Sequence, residues 1–593
     1  MLTSVCLLRR TARNAGLFCL LLLMISPKLW AQSTTDGAIS VTVTDASGAA
    51  VAGAKVTVRN NGTNSEQTAA TDDTGYLRVA KLLPASYTVN VEAPGMAPFT
   101  AESVLVQIGS ITDVPARLNV ASAGATVVVS AEVPSINTST PEFAGVVDQA
   151  AINNLPINNG RWSSFALLTP GAVNDSSGFG LISFRGISTL LNNSTVDGGD
   201  NNQAFFSEER GRTRIGYTVA KAAVQEFQVN TSNYSAEYGR AAGAVINTVT
   251  KSGANQFHGE AYFYDRDNDW GAFNPFTRLT TQTSPGVFTS APYKPQDVRK
   301  IWGGGIGGPI LKDRLFFYFA FDRYDRNFPG TAVPTSPSAF FANPSTSTLN
   351  TLATRLGVTP AEAQTLYNNG LNDLLSELGP VPRKGQATIF FPKVDWTINT
   401  KNHASFEVNR MRWTSPAGIQ TQASNTFGVA SFGNDYVRAT WGVAKLYTTI
   451  TNTLSNEARF QYGRDFEFEF AQPSSAYEQA NFITSPLFSG YTNPLGLSPD
   501  VFITNGFDMG VPTFLQRSAF PDERRTQFAD TVSWSHGRHL LKLGVDYAHT
   551  NDLSQNLRFQ YGSFSYSSLL NYFSDLYGVN TCTSTGGARI PCY

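Results

Sequence analysis

From residue 256 onward, apolar and polar side chains take turns along the chain. In Asn456–Phe470, Ala458, Phe460, Tyr462, Phe466, Phe468 and Phe470 share one face. Arg459, Gln461, Asp465, Glu467 and Glu469 share the other. In His539–His549, Leu541, Leu543, Val545 and Tyr547 oppose Lys542, Gly544 and Asp546, while Asn402–Val408 and Gln527–Trp534 alternate more loosely. A period of two is that of a strand with unlike faces. A soluble two-layer sheet gives the same alternation, so length and connections decide. These runs reach 10–15 residues, and about 9–11 are enough to cross a bilayer at barrel tilt. Short connections near Lys312-Asp313, Asn399–Asn402, Thr451–Thr453 and Ser535–Arg538 alternate with long ones at about 266–298, 325–384, 414–435 and 471–524. Short turns on one side and long loops on the other are the pattern of a transmembrane antiparallel β-barrel. Nine strands are predicted, starting near 256, 299, 314, 385, 403, 436, 454, 525 and 539. The loop at 325–384 carries a predicted helix, Pro360–Leu378, expected to cap the surface.

Upstream the pattern changes. Residues 36–120 hold short strands at Gly37–Val43, Ala54–Arg59, Tyr76–Lys81 and Tyr87–Glu92, with turns at Asp45–Gly48 and Thr71–Gly75. That spacing predicts a small β-sandwich. Residues 121–131 form a linker ending in an apolar β-prone run, Thr126–Ala131. An exposed strand of this kind suits edge-to-edge pairing with a partner's sheet; the first strand of the following unit is the alternative reading. Residues 132–253 mix signals, with short helices expected at Asp148–Leu155 and Ser163–Leu168. The chain is organised around Val224–Asp265, where two β-like runs, Glu226–Val229 and Ala244–Thr250, lead through Lys251-Ser252-Gly253 into the first barrel strand. It reads as a hinge between an inner unit and the wall around it.

Composition narrows the partners. Charges nearly cancel, 44 basic against 45 acidic residues, so no field of one sign points to nucleic acid. The 40 Phe and 22 Tyr against only 15% charged residues suit strands that present apolar side chains to lipid. No run of about 20 apolar residues follows the N-terminus, which argues against a helical membrane protein. Residues 1–31 read as an export signal, with Arg9, Arg10 and Arg13 before the apolar run Gly16–Ile25 and cleavage expected after Ala31. Of four cysteines, Cys6 and Cys19 leave with that segment, and Cys582 and Cys592 are candidates for a disulfide closing a surface loop. No catalytic chemistry stands out. His-Glu-x-x-His and Gly-x-Ser-x-Gly are absent and the five histidines are dispersed, so no enzyme, cofactor or metal is expected.

Short motifs then line up in an order that resembles a known family. Gly-Ala-Lys-Val, Thr-Asp-Asp-Thr-Gly-Tyr and Leu-Pro-Ala-Ser-Tyr-Thr-Val resemble carboxypeptidase regulatory-like domains, with Ala85-Ser86 standing where that family usually has a glycine. Thr126-Val127-Val128-Val129-Ser130-Ala131 resembles a TonB box. Arg185-Gly186, Asp197-Gly198, Glu226, and Glu237-Tyr238-Gly239-Arg240 before Thr250-Lys251-Ser252-Gly253 resemble the plug of TonB-dependent outer-membrane receptors, of the Oar-like type. The resemblance implies a mainly β protein: export signal (1–31), sandwich (36–120), linker (121–131), mixed α/β plug (132–253) and the first part of a barrel (256–593). Such barrels close with an even number of strands, so the nine imply a piece of a longer chain. It also implies outer-membrane lipid around the wall, a TonB-type energy-coupling protein, and an unknown extracellular ligand taken up without bond making. Arg185, Glu226, Glu237 and Arg240 are expected to pair with one another or with the wall, seating the plug through wettable contacts. The alternative function is an outer-membrane adhesion protein, with carbohydrate binding through the sandwich.

Overall fold

A computed structural model describes residues 35–120, 127–130, 143–156, 160–175, 181–204, 209–211, 215–275, 277–284, 287–451, 453–484, 496–516, 520–536, 539–555, 558–578, 582–583 and 589–590. The expected export signal, Thr126, Ala131 and Cys592 lie outside the described residues. Cys582 lies in a two-residue strand paired with Arg589–Ile590.

The N-terminal unit is a sandwich of two sheets. Tyr76–Leu82, Gly37–Thr44 and Ile111–Arg117 form one; Glu66–Ala70, Lys55–Asn60, Ala85–Glu92, Phe99–Val106 and Val127–Ser130 form the other. Alternating residues of both, Ile39, Val41, Val56, Val58, Val89 and Val91 among them, fill one buried core. Val127–Ser130 pairs in parallel with Phe99–Val106, Phe99 opposite Val127 and Glu102 opposite Ser130. The segment is therefore the last strand of the sandwich rather than the first strand of the following unit. Its register follows from proximity to an open edge, which no local pattern announces.

The central unit is built on a five-stranded sheet in the order Gly199–Asp200, Asn193–Val196, Val245–Thr250, Val224–Ser232 and Phe143–Val147. Helix Gln149–Asn154 starts where the Asp148 side chain accepts the Ala151 N–H (2.8 Å), and a 3₁₀ helix spans Trp162–Leu168. Every residue of Val245–Thr250 is buried, so this strand is covered on both faces.

The third element is one nine-stranded antiparallel sheet in simple sequential order: β1 His258–Asp267, β2 Val298–Leu311, β3 Leu315–Asn327, β4 Lys384–Asn399, β5 Asn402–Ser415, β6 Asn434–Thr451, β7 Leu454–Phe470, β8 Asp522–His536 and β9 His539–Leu553. The starts agree with the period-two reading, the largest displacement being at Asp522 against an expected 525. Outward positions are greasy and open: Phe460 is 47% and Leu543 78% exposed. On the alternate positions Gln461, Asp465 and Glu467 are buried, facing the central unit. The wall wraps that unit, and Trp162, Phe165, Phe184 and Phe227 share one apolar cluster with Tyr318, Phe391, Met411 and Trp441 of the wall. Wettable contacts, the expectation from the charged motifs, do not seat it alone. A continuous apolar contact stands beside them.

The long loops fold together. Helices α1 Thr346–Leu356 and α2 Pro360–Leu375 follow β3, and α3 Leu569–Tyr577 follows β9. Helix α2 starts at Pro360, as the sequence predicts, behind a capping box between Thr359 and Glu362, and stops at Leu375 rather than Leu378. Phe340, Tyr367 and Leu371 of the first loop meet Phe482, Val501 and Phe507 of the loop after β7 and Tyr572 and Phe573 of α3. Asp500–Ile503 and Ser563–Tyr566 pair across two loops. The result is a cap with its own core.

Candidate functional site

The two dipeptide motifs of the central unit are turns of one kind. Arg185 and Gly186 have φ of 53° and 76°, and Asp197 and Gly198 have 49° and 78°. Two consecutive left-handed residues close a hairpin in the sense that strand twist favours, and glycine fills the second position without strain. Arg185 is exposed at its turn. Asp197 is 1% exposed, and the turn aims it at the inner wall.

There it meets Lys393 of β4 (3.6 Å) and Lys445 of β6 (3.2 Å), and accepts the Thr250 hydroxyl. Glu407 of β5 completes the group, 3.6 Å from Lys393. All four of these side chains are nearly inaccessible. Burial opposes ionisation of Asp197, but the Lys393 and Lys445 ammonium groups outweigh it and hold its carboxyl below the usual carboxylate range. A second seat forms at Asp200, which makes an ion pair with Arg525 of β8 (2.6 Å) and accepts from Arg240 of its own unit (2.5 Å). A third joins Glu237 to Lys542 of β9 at 2.7 Å. Tyr238 accepts from Asn247 (2.9 Å), and the Gly239 carbonyl accepts from Asn193 (2.7 Å), so the Glu-Tyr-Gly-Arg motif fastens its own loop. Of the charges expected to pair, Glu237 reaches the wall and Arg240 pairs inside the unit.

Glu226 does neither. It accepts the Ile108 N–H of the sandwich at 2.5 Å. The sandwich thus sits against the central unit, and it reaches the wall too: Lys81 lies between Asp36 (3.5 Å) and Glu457 of β7 (3.1 Å), and Asn64 donates to Asp313 in the short turn after β2 (2.9 Å). Burial depresses the basicity of Lys81, but Asp36 and Glu457 reverse that and raise its pKa. At Glu226 burial wins over the lone N–H donor and pushes the carboxyl up to about 7 from 4.5. A carboxyl raised on folding retains its proton there between those two values while the unfolded chain has lost it. Stability therefore falls as pH rises through that window and is level above it, by about 3 kcal/mol at most. The full-length protein is expected to lose stability of the sandwich unit between pH 5 and pH 8, with Glu226→Gln flattening that loss. Thermal melts at the two pH values read both outcomes, and an unchanged pH dependence in the variant would remove Glu226 as the cause.

None of Lys393, Glu407, Lys445 or Lys81 stood out in the sequence. The available signal was a charge at an inward position of an alternating strand, as Lys393 is in Ile389–Trp396. Among the described residues the group most suited to a cation is Asp435, Glu467 and Glu469, whose carboxylates approach within 4.8 Å. Trp413 donates to Asp435 and Gln203 to Glu467, both at 2.8 Å, which ties two of the three to structural work.

Comparison with known proteins accords with this architecture. Residues 249–581 match the outer membrane beta barrel domain family, and residues 38–119 the carboxypeptidase regulatory-like domain family. The TonB-dependent transporter Oar of Myxococcus xanthus is 30% identical over 326 residues, covering 53% of this chain and 29% of that protein. Among solved structures, the outer membrane transporter YddB of Escherichia coli is similar with a TM-score of 0.44 at 13% identity, covering 69% of this chain and 48% of that one. The siderophore receptor PirA of Acinetobacter baumannii gives 0.42 at 13% identity, with 72% and 50% covered. The chain thus spans less than a third of Oar and about half of these two structures. The barrel family's match covers more than half of the 593 residues, and the chain belongs to the outer membrane β-barrel family, its wall lying in an outer membrane of the Gram-negative type.

Proposed function

We propose that this chain is part of a TonB-dependent outer-membrane transporter, in which residues 132–253 act as a plug and 256–593 as part of the barrel around it. The observation that carries this reading is the seat at Asp197: a folded unit held against an inner wall by buried ion pairs that water can replace. Extracellular ligand would bind the loop cap and the outward side of the plug, with lipid around the wall. A TonB-type protein would take hold of Val127–Ser130 by strand pairing. The strand stands last in its sheet, paired on one side with Phe99–Val106, so a partner's strand would add to its other side. No bond in the cargo changes.

The test titrates the purified C-terminal domain of a TonB-type protein from the host cell against the full-length protein in detergent. Saturable binding is expected, and deletion of Thr126–Ala131 should abolish it while the barrel still assembles. Undiminished binding by the deletion variant would refute the assignment of this strand. No binding by the intact protein would favour the adhesion reading.

A further inference from the structure

The outward face of the wall should be apolar where lipid covers it, and for most of its height it is, with Phe406, Val408, Leu446, Phe460, Tyr462 and Phe528 all pointing outward on β5–β8. The hydrogen-bonded pair Asn456–Asp530 (3.0 Å) interrupts it. Toward the end that carries the long loops the character changes within one residue pair. Arg410 and Arg412 of β5, Arg438 of β6, Arg464 of β7 and Arg524 of β8 all take outward positions.

They form one cluster. Arg412 lies directly opposite Arg438, and Arg464 directly opposite Arg524. Arg410 and Arg464 both lie opposite Thr440, from the two sides of β6. Like charges directly opposite on neighbouring strands repel. One carboxylate stands on this face of the four strands at this level: Asp522, shared by Arg464 (2.6 Å) and Arg524 (3.4 Å). Five guanidinium groups against one carboxylate leave an excess of four positive charges. Arg412 turns to the backbone and Thr440, donating to the Met411 carbonyl (2.8 Å) and the Thr440 hydroxyl (3.1 Å). Arg438 and Arg464 lie over Phe468 and Phe466, 5.4 Å and 5.1 Å from the ring centres.

Height places this cluster at a particular level. From Leu454 opposite Trp534, beside a short turn, to Arg464 opposite Arg524 is ten residues. Ten residues are about 33 Å of strand, and at a tilt of about 35–45° that is a rise of about 25 Å, the height of the apolar band of such barrels. The arginines therefore stand at the upper rim of the lipid-facing band, where headgroups lie, and long loops mark that rim as extracellular. From the level of Arg438 upward the face turns aromatic. Phe466 lies opposite Arg438, and Tyr436, Phe468 and Phe470 continue beyond it, the four rings stacking at 5.0–5.9 Å with interplanar angles of 6–19°. Cations between an apolar band below and an aromatic ladder above match a lipid whose phosphates lie between acyl chains and a bulky sugar. Planar guanidinium groups suit phosphate oxygens.

We propose that this arginine cluster binds the phosphate groups of an outer-leaflet glycolipid, its acyl chains lying on the band below and its sugar beside the aromatic ladder. This does not depend on the transport reading. The experiment is native mass spectrometry of the full-length protein in detergent, titrated with bis-phosphorylated lipid A, with dephosphorylated lipid A, and with inorganic phosphate. The wild type should hold bis-phosphorylated lipid A and release the dephosphorylated form. Each arginine near an anionic surface contributes about fivefold, so Arg410→Gln/Arg412→Gln/Arg438→Gln should weaken retention about a hundredfold, and Arg438→Gln alone about fivefold. The single variant decides the matter if the triple one fails to assemble. Equal retention by the variants, equal binding of the dephosphorylated lipid, binding of inorganic phosphate without lipid, or a protein that co-purifies with the wild type and is lost from the variants would each overturn the proposal.

Discussion

Replacing Asp197 with asparagine loosens the central unit from the wall by about 3–5 kcal/mol, the usual result of removing one partner from a buried ionic group. Asparagine tolerates the left-handed backbone that this turn needs (φ 49°), so the substitution removes the charge and keeps the turn. Lys393 and Lys445 then lose the one carboxylate that both of them touch. The full-length protein in a planar bilayer reads this directly. Urea that leaves the wild type closed to KCl should open the variant. The pH dependence has a definite sign. A carboxyl held below its usual range stabilises the folded state above about pH 4 and loses that contribution as pH falls toward its folded value. Acid should therefore loosen the wild-type unit below about pH 4, and Asp197→Asn should lack that dependence. A variant as tightly closed as the wild type at every urea concentration would show that the apolar cluster alone carries the seat.

Phe573→Ala should cost the loop cap about 3–5 kcal/mol, the range for truncating a buried aromatic residue. Phe573 is fully buried and meets Tyr367 of α2 edge-on at 5.0 Å. A Cβ on Gly370 would come within 2.5 Å of its ring, so α2 carries a glycine there to admit it. The decisive readout is where the damage spreads. Because three loops share this core, proteolysis should rise in the loops after β3 and β7 as well as in the loop after β9 that bears the substitution, while the strands stay protected. Cleavage confined to the mutated loop would mean that the loops fold independently.

The wall was legible because each strand repeats a two-residue pattern that lipid and a filled interior both enforce; His539–His549 could be assigned side by side with Asn456–Phe470 before any partner was known. The helix after β3 was legible because its start is local, Pro360 opening the predicted run and taking the first turn of α2. What escaped reading is non-local. Glu226 carries no mark that its partner is a backbone N–H more than a hundred residues earlier, in another unit. Val127–Ser130 reads as an edge-seeking strand, yet nothing in four apolar or small residues specifies Phe99–Val106 as the edge. The cap went unrecognised as one body because Asp500–Ile503 and Ser563–Tyr566 pair across sequence that alternates with the wall itself. The arginine cluster is spread over four strands and becomes visible only when their register is known.

The wall is not equally rough all round. On β2 the chain runs Gly303-Gly304-Gly305, then Gly307-Gly308, and the Ala222 segment of the central unit lies close against it. A Cβ built at Gly305 would fall 2.3 Å from the Tyr318 hydroxyl oxygen and 3.3 Å from the Ala222 methyl. Bare backbone faces a methyl group here, and beside it Tyr318 donates to the Ala222 carbonyl (2.6 Å) while Asp322 accepts the Lys221 N–H (2.9 Å). A few residues away, where Val224 pairs with Thr250 and Thr250 donates to Asp197, lysines grip a carboxylate. The wall thus meets the central unit by shape at β2 and by charge at Asp197, and a side chain at Gly305 would prise apart the first of these contacts without touching the second.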